Sequence, residues 1–191
     1  MNQQEILAIF TQTHALLEGH FKLSSGRHAD KYIQCARVLQ HPAHARMLGS
    51  ELAQPFHALN PSVVVAPAMG GLIIGHEVAA ALGCRFIFTE RENSQMTLRR
   101  GFDIQPGEGV IIVEDVVTTG TSTREVIDVV QSRNGDIRGI ACLVNRATGF
   151  LDLLVPLHTL LKLTFSNWDP HDCPLCRQSI PIDSPGSRYT K

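Results

Sequence analysis

The sequence lacks the features that direct a protein to a membrane, to secretion or to a polyanionic partner. No apolar run approaches the roughly 20 residues needed to span a bilayer. The opening segment MNQQEILAIF has no basic stretch followed by an apolar core, as a secretory signal would have. With 18% charged residues and a net charge of -1, the chain has no general positive field. We therefore expect no membrane partner and no nucleic-acid partner, and any phosphate must bind at a local site.

Cysteine is scarce, and its distribution argues against a disulfide framework. The five cysteines are odd in number and lie mostly in apolar stretches, which is typical of reduced thiols. We therefore expect a cytoplasmic protein. Cys173 and Cys176 have a C-x-x-C spacing, but the second ligand pair that makes this spacing a strong zinc signal is not evident in the sequence. A packed or solvent-facing turn is favoured, and whether this pair binds zinc stays open.

Apolar runs alternate with helical patterns through the middle of the chain. Short β-branched strands are predicted at residues 62–66, 84–89, 109–114 and 137–145, with helices at 72–82 and 123–132. Continuous apolar strands separated by helices indicate a parallel sheet covered on both faces. The 191 residues, 43% of them hydrophobic, suit a single domain at residues 1–191. The predicted fold class is α/β with a doubly wound parallel sheet.

Two further helices are predicted before this alternation, and one strand after it. Apolar periodicity predicts a helix over residues 3–17 and another over 42–59. A last strand is predicted near residues 160–165, and the proline-rich C-terminal tail at 166–191 then wraps the surface. Doubly wound sheets bind ligands at the carboxyl ends of their strands. The loops expected to form the site are residues 66–71, 89–102, 114–122 and 145–149.

The most informative segment is VIIVEDVVTTGTS at residues 110–122. A buried strand ends in two acids, Glu114 and Asp115, and the run TTGTS then begins a helix. Backbone N–H groups at a helix N-terminus favour an anion, and Gly120 permits its close approach. The acids can accept hydrogen bonds from ribose hydroxyls while the loop binds a phosphate. The alternative is an ordinary capped helix after a strand. A P-loop triphosphatase is disfavoured because the loop has no lysine.

This segment resembles the phosphoribosyl diphosphate (PRPP) signature of the type I phosphoribosyltransferases. Glu-Asp-Val-Val-Thr-Thr-Gly is similar to the orotate branch of that family in particular. The resemblance implies a parallel sheet with helices on both faces and a small N-terminal hood over the base, here residues 1–40. It also implies Mg²⁺ as cofactor, bound mainly through PRPP and without a direct protein ligand. The implied PRPP-binding residues are Glu114, Asp115, Val116, Val117, Thr118, Thr119, Gly120, Thr121 and Ser122, with Asp115 also catalytic.

The hood also resembles the orotate branch. Residues 19–32, GHFKLSSGRHADKY, are similar to its N-terminal motif of a Phe-x-Leu-x-Ser-Gly-Arg run followed by an aromatic residue. On this resemblance Ser24 and Arg27 bind orotate, and Tyr32 or Ile33 lies against the base. The alternative is a surface turn in which Arg27 forms a salt bridge.

Two further loops are similar to the same branch. In Asn-Arg-Ala-Thr-Gly at residues 145–149, the resemblance assigns Arg146 to the orotate carboxylate, which the planar fork of arginine matches. It also assigns Thr118 to the base. Ala-Pro-Ala-Met-Gly-Gly at residues 66–71 resembles the diphosphate loop, although a simple strand-to-helix turn is the alternative. The diphosphate contacts implied there are Met69 and Gly70.

Residues 89–102, TERENSQMTLRRGF, match the position of the flexible catalytic loop of the family. The resemblance implies that this loop covers the diphosphate and reaches the other subunit of a homodimer. A solvated charged hairpin is the alternative. The better-known orotate enzymes have lysines where this chain has Ser24, Gly70 and the loop arginines, and arginine-bearing loops resemble a second branch of the family. The catalytic loop residues so implied are Arg91, Arg99 and Arg100.

The reaction that the resemblance implies joins orotate to the ribose of PRPP and releases diphosphate. The products are orotidine 5'-monophosphate and diphosphate, and the step belongs to de novo pyrimidine synthesis. Two alternatives stay open: a phosphoribosyltransferase for purines, and a PRPP-sensing regulator without catalysis. A regulator that binds nucleic acid needs a basic face, and the balanced charge gives no indication of one.

Overall fold

A computed structural model describes residues 1–23 and 25–185 of the chain. Ser24, one of the predicted orotate contacts, and residues 186–191 of the predicted tail lie outside the described residues. The described strands form two sheets, one of six strands and one of three. Within the described residues, no helix is long and apolar enough to cross a membrane.

The six-stranded sheet is the centre of the fold, and five of its strands are parallel. Their order is β5-β4-β3-β6-β7-β8, and only the edge pair β4 and β5 is antiparallel. Every residue of β3 is buried, as expected for a strand covered on both faces. The strands are β3 (Val63–Pro67), β4 (Arg85–Glu92), β5 (Gln95–Leu98), β6 (Gly109–Val117), β7 (Asp136–Asn145) and β8 (Leu157–Lys162).

Helices cover both faces of this sheet, which confirms the doubly wound α/β prediction. Alternate residues of β3 separate the two cores: Val64 packs with the helices of one face, and Val63 packs with the helix of the other. The first face carries α1 (Gln3–Gln12), α2 (Ala36–Leu39), α3 (Pro42–Ala53) and α4 (Gly71–Leu82), and the second carries α5 (Thr121–Ser132).

The strand order reverses between β3 and β6. From β3 the chain passes through α4 to β4 on one side, whereas from β6 it passes through α5 to β7 on the other. The loops that leave β3 and β6 therefore diverge and open a crevice at the carboxyl edge of the sheet. At this crevice Gly70, in the loop after β3, lies against Asp115 near the end of β6.

The three-stranded sheet corrects the predicted length of the first helix. The predicted helix over residues 3–17 is wrong beyond Gln12, because the chain turns at His14, which has φ of 53°. Leu16 and Leu17 instead begin a strand. The small sheet has the order β1-β2-β9 and contains β1 (Leu16–Lys22), β2 (His28–Ile33) and β9 (Asn167–Trp168).

Three other boundaries differ from the sequence-based prediction. The second helix is α-helical only to Ala53 and continues as a 3₁₀ helix over Gln54–Leu59, because Pro55 has no N–H for the α-helical ladder. The last parallel strand, β8, begins and ends three residues before the predicted range of 160–165. Residues 89–102 fold largely as the β4–β5 hairpin, whose turn residues Asn93 and Ser94 have φ of 50° and 66°.

Candidate functional site

The loop after β6 has the form of an anion-binding site. It joins the strand to α5, and Gly120, with φ of 74°, caps the helix. The hydroxyl groups of Thr119 and Thr121 lie 2.9 Å apart at the first turn. Arg124 donates from Nη1 to the carbonyl oxygen of Thr119 at 2.9 Å and so fixes the loop from the helix side. Exposed hydroxyls and helix N–H groups therefore converge at one point.

The two acids lie directly before this loop and are shielded from water. Glu114 is 7% exposed, and Asp115 accepts a hydrogen bond at Oδ1 from the backbone N–H of Val116 at 2.8 Å. Burial, and next the neighbouring Asp115, raises the pKa of Glu114 well above its ordinary value. Burial also raises the pKa of Asp115. The two carboxyl groups therefore lie beside the loop with little access to water. Hydrogen bonds from a polar ligand would take the place of those that water does not supply.

The loop after β3 meets these acids across the crevice. A Cβ atom placed on Gly70 would lie 2.6 Å from the carboxylate of Asp115, so a larger residue there would displace this carboxylate. The Ala68–Met69 peptide bond is cis, and the Met69 side chain is 79% exposed. The N–H of Ala68 donates to the carbonyl oxygen of Thr89 at 2.8 Å, which ties the loop to β4. The structure therefore brings the predicted diphosphate loop and the acids into contact.

Arg146 follows β7 and lies next to the loop after β6 (residues 118–122), which is called the phosphate loop below for its proposed role. Its backbone N–H donates to the carbonyl oxygen of Val117 at 2.8 Å, so it is held beside Thr118. The guanidinium carbon lies 4.5 Å from the ring centre of Phe165. Among the described residues its Nε is buried without a hydrogen-bond partner, and burial lowers the pKa of Arg146. A buried unpaired donor is costly, which makes Arg146 a strong candidate for contact with an acceptor on a ligand.

The small sheet brings Tyr32 to the same crevice. Burial, the main cause, raises the pKa of Tyr32, and the charges of Arg146 and Asp115 also act on it. Arg27 is exposed, and its Nε donates to Oδ1 of Asn167 on β9 at 2.6 Å. The structure thus binds Arg27 to the C-terminal strand of the small sheet.

The three arginines of the predicted catalytic loop are all engaged in ion pairs on the hairpin side. Each is paired with a glutamate: two of these glutamates lie in β4, and the third lies near the start of α5. The pairs are Arg91 with Glu125 of α5, Arg99 with Glu92 at 3.3 Å and Arg100 with Glu90 at 2.7 Å.

Phe165 is the residue of this region that the sequence reasoning missed. It lies between β8 and β9, in a segment that was predicted as the end of a strand, and no local motif marks it. Phe165 and Arg146 are 19 positions apart in the chain, so their contact arises only from the fold. Its position could have indicated it. Phe165 follows the last parallel strand, β8, and Arg146 follows the neighbouring strand, β7, so both lie at the same edge of the sheet.

The comparisons with known proteins agree with this arrangement. A family model described as a phosphoribosyl transferase domain matches residues 35–154. The chain is 53% identical over 188 residues to the orotate phosphoribosyltransferase of Pelotomaculum thermopropionicum, covering 98% of this chain and 99% of that one. It is 50% identical over 188 residues to that of Desulforamulus reducens, covering 98% of each.

Solved structures give the same assignment. The crystal structure of orotate phosphoribosyltransferase from Aeropyrum pernix matches with a TM-score of 0.70 at 29% identity, covering 83% of this chain and 93% of that chain. That from Mycobacterium tuberculosis, in complex with inorganic phosphate, matches with a TM-score of 0.68 at 25% identity, covering 84% of this chain and 95% of that chain. Since both the family model and these full-length relatives match, the chain belongs to the phosphoribosyltransferase family and, within it, to the orotate phosphoribosyltransferases.

Proposed function

We propose that this chain transfers the phosphoribosyl group of PRPP to orotate, with Mg²⁺, giving orotidine 5'-monophosphate and diphosphate. It is thus a pentosyltransferase of de novo pyrimidine synthesis. Arg146 selects the base. Its Nε is buried without a hydrogen-bond partner among the described residues, and it lies beside the phosphate loop. A guanidinium group fits a planar carboxylate, which orotate has and purine bases lack.

PRPP is proposed to lie across the crevice between β3 and β6. The 5-phosphate binds the N–H and hydroxyl groups of residues 118–122, while Val116 and Val117 form the strand end that carries this loop. Glu114 and Asp115 accept hydrogen bonds from the ribose hydroxyls and position the sugar. The diphosphate binds Met69 and Gly70, a proposal supported by the close approach of Gly70 to Asp115.

The donor set of this crevice fits a magnesium complex of PRPP. Magnesium prefers oxygen ligands and keeps several waters, and the crevice offers two carboxyl groups and four hydroxyl groups of residues 114–122. We propose that PRPP supplies most of the ligands and that the acids act through the ribose hydroxyls. When bound, the metal supplies positive charge that stabilises the departing diphosphate.

We propose that the β4–β5 hairpin is the catalytic lid. The ion pairs of Arg91, Arg99 and Arg100 are at least partly exposed, and exposed pairs contribute only about 0–1 kcal/mol. A diphosphate can therefore compete with the glutamates for these guanidinium groups. Closure would cover the leaving group and exclude water.

We further propose a homodimer with shared active sites, in which the lid serves the partner. Met69, in the loop before α4, and Ile73, in the first turn of α4, are 79% and 45% exposed, and such apolar side chains beside a crevice suit a subunit contact. The mass of the particle in solution, measured by light scattering, tests this. A monomer at assay concentration would contradict it.

The proposed organisation is one domain at residues 1–191 with a hood and a C-terminal tail. The hood, residues 1–40, contains β1 and β2. The proposal that it lies beside the crevice is supported by the charges of Arg146 and Asp115, which act on the pKa of Tyr32 in β2. The tail, residues 166–191, contributes β9 to the same sheet. The proposed location is the cytoplasm. All five cysteines lie in the described part of the chain and are free thiols there, which suits a reducing compartment.

Loss of orotate absorbance tests the activity. Purified protein with orotate, PRPP and Mg²⁺ is expected to consume orotate, and omission of PRPP or of Mg²⁺ is expected to stop the reaction. Hypoxanthine, guanine and adenine, tried in place of orotate, should not react. Consumption of a purine instead would establish the purine alternative, and PRPP binding without turnover of any base would favour the PRPP-sensing regulator.

A further inference from the structure

A second cluster of reactive side chains lies in the small sheet, apart from the crevice. Its members are His20 of β1, His28 of β2, and the pair Cys173 and Cys176 near the C-terminus. One nitrogen or sulfur atom of each residue lies within 4.8 Å of those of all the others. The fold therefore supplies the second ligand pair that the C-x-x-C spacing lacked in the sequence, and supplies it as two histidines from the opposite end of the chain.

The separations in this cluster lie within about 0.4 Å of those of a tetrahedral zinc site. His20 Nε2 and His28 Nδ1 lie 2.9 Å apart. Cys173 Sγ lies 3.5 Å from His20 Nε2, and Cys176 Sγ lies 3.7 Å from His20 Nε2 and 3.3 Å from His28 Nδ1. Zn–N bonds of about 2.0–2.1 Å and Zn–S bonds of about 2.3 Å, in tetrahedral geometry, give roughly 3.3 Å between nitrogens and roughly 3.6 Å between nitrogen and sulfur.

The backbone orients His20 as a metal ligand. Its Nδ1 lies 2.8 Å from the carbonyl oxygen of Ile180, which can only accept a hydrogen bond. Nδ1 therefore carries the proton, and the lone pair of a neutral imidazole is then on Nε2, the atom that faces the cluster. Metal-bound histidines commonly donate their other N–H to a carbonyl oxygen in this way.

The burial of the cluster is that of a closed structural site. His20 is 3% exposed, His28 is 8% exposed and Cys173 is fully buried, while Cys176 closes the outer side. Two nitrogen and two sulfur ligands in tetrahedral positions select zinc over the oxygen-seeking metals. With four protein ligands the ion would have no open position for a substrate.

We propose that His20, His28, Cys173 and Cys176 bind one zinc ion, which clamps the C-terminal segment onto the β1–β2 hairpin. The clamped segment already touches β1 through its backbone: the N–H of Lys22 donates to the Asp183 carbonyl, and the N–H of Asp183 donates to the His20 carbonyl, both at 2.8 Å. The two histidines flank the turn that joins β1 to β2. The ion therefore anchors the hairpin whose turn contains Arg27. Arg27 is a predicted orotate contact, and only this connection between the zinc site and orotate binding rests on the proposed function.

Metal analysis of the intact chain tests the site without any substrate. Protein that is expressed with added zinc and then desalted is expected to contain one zinc ion per chain, as measured by inductively coupled plasma mass spectrometry. Metal-free protein titrated with Co²⁺ is expected to develop the intense visible bands of a tetrahedral cobalt site with thiolate ligands. Cys176→Ser, a change at the exposed ligand, is expected to lose stoichiometric zinc and these bands.

Two variants serve as matched controls. Cys84→Ser removes a half-buried thiol outside the cluster, and His171→Ala removes an exposed imidazole beside the C-x-x-C segment. Both should keep the zinc. Hydrogen exchange should become faster in residues 170–183 and in the β1–β2 hairpin when zinc is removed from the wild-type chain, and should not change in α5.

Three results would overturn the proposal. The first is a wild-type chain that takes up neither Zn²⁺ nor Co²⁺ with reduced thiols. The second is a Cys173–Cys176 disulfide, seen as a loss of two hydrogens in the intact mass of freshly isolated protein. The third is zinc retained at full stoichiometry by Cys176→Ser together with His28→Ala, which would place the metal elsewhere.

Discussion

The two ends of the crevice are built in different ways. The end proposed to bind phosphate (the phosphate end, residues 114–122) is continuous in sequence: the end of one strand, one loop and the first turn of one helix. The end proposed to bind the base (the base end) combines Tyr32 from β2, Arg146 after β7 and Phe165 after β8, which come together only in the folded chain. The first end can therefore be recognised in the sequence as a motif, whereas the second is formed by residues that are distant in the sequence. We expect substitutions at the two ends to affect different substrates.

Replacement of Arg146 separates the two ends most strongly. Arg146→Ala removes the proposed carboxylate contact, and loss of charge-assisted hydrogen bonds should lower kcat/KM for orotate roughly 10²- to 10³-fold. PRPP affinity, measured by calorimetry, should stay near that of the wild type. Arg146→Lys should recover little, because lysine lacks the planar fork.

The control for this change is Arg133→Ala, at the far end of α5, where Arg133 pairs with Asp103. This variant should retain orotate kinetics. Equal losses of orotate and PRPP affinity in Arg146→Ala would remove the carboxylate role and, with it, the division of the crevice into two ends.

Replacement of Asp115 tests the phosphate end. Asp115→Asn keeps the shape beside Gly70 but removes a charged acceptor for a ribose hydroxyl. Loss of hydrogen bonds to a charged group should lower turnover about 10- to 100-fold, with the circular dichroism spectrum retained. Asp136→Asn, at the amino end of β7, is the matched control. Wild-type turnover in Asp115→Asn would remove this residue from the site.

A smaller effect is expected at Phe165, which distinguishes packing at the base end from direct contact. The ring lies under the guanidinium group of Arg146, and such a contact contributes about 0.5–1 kcal/mol at an accessible site. Phe165→Leu should therefore raise the KM for orotate about 2- to 5-fold. Phe165→Tyr keeps the ring and should be close to the wild type. A similar loss in both variants would show that the ring face is not what orients Arg146.

Stability gives the fourth and smallest effect. Burial, and next Asp115, raises the pKa of Glu114 above its ordinary value of 4.5 in the folded chain. The folded state therefore holds this proton more tightly than the unfolded state, so ionisation reduces stability as pH rises from 4.5 towards the folded pKa. Glu114→Gln should raise the Tm at neutral pH by about 2–4 °C, the shift expected for roughly 1 kcal/mol in a chain of this size.

Calorimetry over a pH series checks this sign. The difference in Tm between Glu114→Gln and the wild type should decrease as the pH falls towards 4.5, where residue 114 is uncharged in both folded proteins. Asp128→Asn, at an exposed position of α5, is the control and should show no such dependence. A Tm for Glu114→Gln below that of the wild type at neutral pH would mean that this carboxylate stabilises the fold.

The sequence predicts the central sheet well because its signals are local. Apolar runs such as Val63–Pro67 must be buried on both faces, and their alternation with helices determines the doubly wound arrangement. The loop that we propose binds phosphate has a local signal for the same reason, since Glu114 through Ser122 are consecutive. The structure also joins Gly70 to Asp115, as expected for loops at a reversal of strand order.

The small sheet could not be predicted in the same way. Leu16 and Leu17 extend the helical apolar pattern of α1, yet they begin β1, because pairing with β2 outweighs the local signal. β9 is only two residues long and pairs with a strand about 140 positions earlier. The two histidines proposed to bind zinc with Cys173 and Cys176 could not be found for the same reason, since the proximity of His20 to Cys173 arises only from tertiary structure.

The most direct test compares orotate with uracil, which is the same ring without the carboxylate, in the wild-type chain and in Arg146→Ala. The ratio of kcat/KM for the two bases, at saturating PRPP and Mg²⁺, isolates recognition of that one group. We predict a large preference for orotate in the wild type and its collapse in Arg146→Ala, through loss of orotate use alone. A wild type that uses both bases equally, or a variant that keeps its preference, would contradict the assignment of the base end to orotate.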